Sequence, residues 1–120
     1  MTGQQREQAA RLGVDVYPMS RLADFSAAEL EGPVYISFDM DVLDPAFAPG
    51  VSHYAPGGMS VREALGILQS LRVRVVGADI VEYNPTRDRD TQTAMAAAKI
   101  LKELVAAMTR GNLANCPRHG

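Results

Sequence analysis

Two apolar runs constrain this chain more than any other feature: VYISFD at 34–39 and VRVVGADIV at 73–81. Each gives way at its C-terminal end to acid, the first to Asp39, Asp41 and Asp44, the second to Glu82. Short, nearly continuous apolar runs suit parallel strands covered on both faces. Between and after them the period becomes helical. Ser60 and Glu63 have capping-box spacing and open a helix to about Ser70, with Ala64, Leu65, Leu68 and Leu71 as its stripe. After a polar loop at 83–92, a longer helix over about 93–109 lines up Ala97, Ile100, Leu101, Leu104, Val105 and Met108. Strands alternating with helices in this way predict an α/β fold with a parallel sheet.

Upstream, residues 4–12 read as a helix stopped by Gly13, and Val14 to Tyr17 as a short strand ended by Pro18. Ser26 and Glu29 repeat the capping-box spacing, which predicts a short helix over about 27–31, broken by Gly32-Pro33. Residues 1–110 amount to one domain at most, and 111–120 read as a disordered tail.

Composition narrows the function classes. A net charge of −2 with no basic block argues against nucleic acid as a partner. No apolar run approaches the roughly 20 residues of a membrane span, and MTGQQREQAARLG lacks the apolar centre of a signal peptide. The single cysteine, Cys116, excludes an internal disulfide and suits a reducing compartment. The expected location is cytoplasmic.

In an open α/β sheet, ligands bind beyond the carboxyl ends of the strands, and that edge is where Asp39, Asp41, the Pro- and Gly-containing loop to Gly58, and Glu82 fall. On an extended backbone, Asp39 and Asp41 point to the same side. Two carboxylates so close repel unless a cation lies between them, and clustered oxygen ligands favour hard cations such as Mn²⁺ or Mg²⁺. Spacing alone leaves open that these acids are solvated loop charges or caps. An EF-hand fails, because its fifth, sixth and twelfth positions counted from Asp39 are Leu43, Asp44 and Gly50. An aspartate-nucleophile phosphatase also uses Asp-x-Asp, but Val42 follows the second acid here and the only lysines are Lys99 and Lys102 on the last helix.

SFDMDVLDPAFAPG, continuing into GVSHYAPGGMS, resembles the ureohydrolase family of arginases and agmatinases, and DIVEYNPTRDRDTQTAMAAAKILKEL resembles its last strand, loop and helix. The variant is most similar to plant-type arginases and bacterial agmatinases. The resemblance implies a three-layer parallel sheet with helices on both faces, of which this chain is the C-terminal portion. It implies hydrolysis of agmatine or arginine to urea and an amine at a binuclear Mn²⁺ site. Asp39 would bridge both metals and Asp41 bind one. Glu82 would grip the guanidinium, a pairing that bidentate geometry favours. His53 would hydrogen-bond substrate or shuttle a proton. Asp44 would pass a proton or, with Pro45, shape the turn.

The family's His-bearing ligand motifs are absent, since the only histidines are His53 and His119. The resemblance therefore implies an incomplete site that needs the missing N-terminal half or self-association, in a homo-oligomer, trimer or hexamer. A non-catalytic assembly form of the same fold is the alternative.

Overall fold

The structure, a computed structural model, describes residues 1–114. It contains α1 (Gly3–Arg11), β1 (Val34–Asp39), α2 (Val61–Gln69), β2 (Val75–Val81) and α3 (Gln92–Ala114), with 3-10 turns at Met19–Asp24, Ala27–Glu29, Met40–Val42 and Pro85–Arg87. The strands pair in parallel, in register from Tyr35 opposite Gly77 to Asp39 opposite Val81, with an irregularity after Val34.

The expected α/β architecture is present, and local chemistry explains its best-defined parts. The capping box at α2 forms in both directions: Glu63 N–H donates to Ser60 Oγ (3.0 Å), and Ser60 N–H to the Glu63 carboxylate (2.9 Å). At the start of α3, the Asp88 carboxylate accepts from the Thr93 and Ala94 amides (2.8 and 3.0 Å). Burial pushes the Asp88 carboxyl up, but these amides and the hydroxyls of Thr93 and Tyr83 hold it well below the usual range.

The core lies on one face of the strand pair. Ile36, Phe38, Ala78 and Ile80 point into it and meet Ala64, Leu65 and Leu68 of α2 and Ile100 and Leu104 of α3, with Met40, Leu43, Ala48 and Val51 filling in beneath the loop. The opposite face is open: Tyr35 is 61% exposed, and Ser37 is exposed too. Coverage of both faces is therefore not met by the described residues, which build the sheet and one of its helical layers.

Other expectations change as well. Val14 to Tyr17 is not a strand, because no described strand lies beside it to pair with, and Val14 and Val16 are exposed. Ser26 caps nothing with its side chain, and only the 3-10 turn Ala27–Glu29 forms. β2 begins at Val75 rather than Val73. α3 runs beyond Thr109 to Ala114, so residues 111–114 are helix rather than tail. Gly111 serves close approach, since a Cβ there would meet Arg74 Cα at 3.0 Å. On α3, Leu101 and Val105 are more than half exposed, while Ile100, Leu104 and Ala107 carry the packing. The rest of the expected tail, including Cys116 and His119, lies outside the described residues. Among the described residues, no helix is long and apolar enough to cross a membrane.

Candidate active site

β1 ends on Asp39, and the chain turns at once into the 3-10 turn Met40–Val42. Met40 is fully buried and anchors the turn in the core, leaving Asp39 and Asp41 half-buried on either side. The two acids do come together, though not through an extended backbone: Asp41 N–H donates to Asp39 Oδ1 at 3.0 Å. Burial, a hydrogen bond to Asp39 and the charges of Asp39 and Glu82 all push the Asp41 carboxyl above its ordinary range, and His53 pulls it the other way. Thus Asp39, Asp41, Glu82 and His53, drawn from the ends of both strands and an intervening loop, share one electrostatic neighbourhood.

Glu82, just past β2, adopts a φ of 67°. A side-chain-bearing residue in the left-handed region is strained, and such residues gather at functional sites. His53 is exposed, and no side-chain hydrogen bond of it is found among the described residues. Asp44 is placed for shaping the turn. Its oxygens accept from Ala46 N–H and Gly57 N–H, both at 2.9 Å, and these bonds lower its carboxyl below the ordinary value. Met59 N–H donates to the Val42 carbonyl (2.9 Å) and Asp44 N–H to the Met59 carbonyl (2.8 Å), so the loop returns alongside the Asp-x-Asp turn. A Cβ on Gly58 would meet the Val42 carbonyl oxygen at 2.7 Å, so only glycine allows this approach. The resulting crevice, about 500 Å³, is lined by Asp39, Asp41, Val42, Met19 and residues 55–58.

Two adjacent carboxylates are the right donors for a hard cation, and their mutual repulsion gives the cation something to relieve. No group of three His, Cys, Asp or Glu able to hold a metal occurs among the described residues. The donor set fits part of a metal centre. A phosphatase reading gains nothing, because Lys99 lies on α3, where its ammonium is 3.6 Å from Glu103.

Sequence reasoning missed the residues that fasten the His53 loop. Gly50 N–H donates to Thr93 Oγ (2.7 Å), and Thr93 is fully buried. Asn84 N–H donates to the Gly50 carbonyl (2.7 Å), and its side-chain amide to Ser52 Oγ (3.0 Å). The Asn84-Pro85 pair signals a turn, which forms, with Thr86 donating to Asn84 Oδ1. Nothing local in the sequence signals its long-range partners.

Residues 2–107 match the arginase family model. The chain is 50% identical over 113 residues to arginase 1, mitochondrial, of Arabidopsis thaliana, covering 88% of this chain and 33% of that protein. It is 38% identical over 105 residues to an agmatinase of Bacillus anthracis, covering 82% of this chain and 36% of that one. The solved structure of an arginase from Medicago truncatula superposes with a TM-score of 0.84 at 46% identity, over 90% of this chain and 37% of that chain. The chain spans about a third of the length of the curated relatives it matches.

Proposed function

The chain belongs to the arginase family, and on that premise we propose that it supplies the carboxylate part of a ureohydrolase active site, whose substrate is a guanidino compound, agmatine or arginine. The observation that carries this reading is the placement of Asp39, joined to Asp41 at 3.0 Å, opposite Val81 and so beside Glu82 at the carboxyl ends of the paired strands; burial and then the neighbouring acids push the Asp41 carboxyl up. Asp39 and Asp41 would hold the manganese. Bound there, such cations supply Lewis acidity and a water activated at neutral pH.

The chain's own residues do the rest. Glu82, just past the end of β2, pairs with the guanidinium as carboxylates do, through two parallel hydrogen bonds. His53 hydrogen-bonds substrate or carries a proton to the departing amine. Asp44 acts by holding the turn, since both its oxygens are already engaged.

Two metal-binding side chains bind cations weakly, so the isolated chain is inactive and its catalytic form includes the part of the fold that corresponds to the other two thirds or so of its relatives, rather than a half, in a homo-oligomer. Leu101 and Val105 on α3 and the open sheet face favour such a partner. The same exposed surface favours a second reading, a non-catalytic assembly form of the fold. We place the complete protein in the cytoplasm, although the Arabidopsis relative is named as mitochondrial.

A chimaera tests the proposal. Residues 1–110 replace the matching third of Arabidopsis thaliana arginase 1, and urea release is measured with Mn²⁺. Activity that disappears in Asp39→Asn and Glu82→Gln is expected. A folded chimaera that releases no urea contradicts the catalytic reading and leaves the assembly form.

A further inference from the structure

Four of the five residues from Gly50 to Tyr54 are fastened, and His53 is the exception. Gly50 is held from both sides by Thr93 and Asn84. Val51 is buried, only 1% exposed. Ser52 takes a bond from the Asn84 side chain. Arg87 completes the fastening: its Nη1 donates to the Ser52 carbonyl at 2.6 Å and reaches the Val51 carbonyl at 3.4 Å. Its guanidinium also lies 4.8 Å from the centre of the Tyr54 ring. One planar cation therefore grips the chain immediately before and immediately after His53.

We infer that Arg87 is a positioning residue for His53, its guanidinium clamping the Val51 and Ser52 carbonyls and the Tyr54 ring so that the imidazole stays at the carboxylate edge. The inference rests on the reading of that edge as a metal and substrate site. Arg87 ends the 3-10 turn Pro85–Arg87, whose N-cap Asn84 lies two residues beyond Glu82, just past β2. The clamp thus makes the two substrate-side residues, His53 and Glu82, one mechanical unit despite their separation in sequence. Arginine suits this task and lysine does not, because a planar fork donates to carbonyls at its edge while an aromatic ring lies on its face, whereas an ammonium is a point charge.

The test is NMR on the purified 120-residue chain, with Mn²⁺ alone as the probe, whose paramagnetic broadening falls steeply with distance. In the unaltered chain, the Asp41 and Glu82 amides and the His53 ring protons broaden together. In Arg87→Ala, the broadening at His53 is lost while that at Asp41 persists, and amides 51–54 lose their protection from hydrogen exchange. Arg87→Lys behaves as Arg87→Ala, which separates geometry from charge. Tyr54→Leu, which removes only the ring, gives a partial loss and serves as the second variant. Unchanged exchange protection in the β1 and β2 amides shows that each variant is folded. Equal broadening at His53 in Arg87→Ala and the unaltered chain overturns the inference. If Asp41 does not broaden in the unaltered chain, the metal reading fails by itself, and retained protection of amides 51–54 in Arg87→Ala then overturns the clamp.

Discussion

The two faces of the β1–β2 pair come from the same two strands, of six and seven residues, and have opposite surroundings. Ile36, Phe38, Ala78 and Ile80 face a core closed by α2 and α3. Ser37 and Tyr35, one residue out of phase, face outward and donate to Asp79 on the neighbouring strand, at 2.6 and 3.0 Å. That hydrogen bond to Asp79 raises the Tyr35 hydroxyl above its ordinary range, with some burial adding to it. The packed face is self-sufficient, while the open face replaces burial with a small polar lattice. The chemistry sits where the two meet, at the strand ends. A domain can therefore hold the shape of a site with one face complete and still lack the ligands that the other side brings.

Substitutions on the two faces should differ most in stability. Leu43→Ala or Ile100→Ala removes a fully buried side chain, and about 2–5 kcal/mol is expected from denaturant unfolding. Asp79→Ala on the open face should cost only about 1 kcal/mol, since its bonds are formed in water's reach. Equal losses would mean that the open face is as structural as the core.

A finer test uses glycine. Gly58→Ala forces a Cβ against fixed backbone at Val42 and Asp44, so a cost of about 1–3 kcal/mol and a displaced Asp-x-Asp turn are expected. Gly77→Ala meets only the Tyr35 ring, at 2.8 Å. That ring is largely exposed and can swing aside, so the loss should be smaller and confined to the open face, as read by thermal melting beside the NMR ring signals of Tyr35.

The smallest effect is an acid limb. Asp44 and Asp88 both lie below the ordinary carboxylate value when folded. The unfolded chain therefore takes up their protons first as pH falls. Their contribution is complete above the unfolded value, near 3.8, and is lost as pH drops through the lower folded values. Asp44→Asn should flatten stability against pH below about 4 without changing the slope near neutrality.

Much of this was legible in the sequence because it is local. β1 falls on the expected residues, and Ser60 with Glu63 forms the capping box that starts α2. Asp39 and Asp41 were legible as neighbours, although a 3-10 turn anchored by buried Met40 brings them together rather than an extended strand. What failed depends on distant partners. Val14 to Tyr17 has the residues of a strand but no neighbour among the described residues, and a strand without a ladder leaves its backbone to water. The exposure of Leu101 and Val105 reflects the same lack, because periodicity reports a face's preference for burial and not what is there to bury it. The Arg87 clamp joins residues 35 positions apart, a link that no pattern in one segment announces.

The most direct measurement is urea release by the purified 120-residue chain, given arginine or agmatine with Mn²⁺, before and after adding the separately expressed N-terminal remainder of the Arabidopsis thaliana arginase 1 chain. A half-site predicts no urea from the chain alone and release on mixing, abolished by Asp39→Asn. Mn²⁺-dependent urea release from the chain by itself would contradict it.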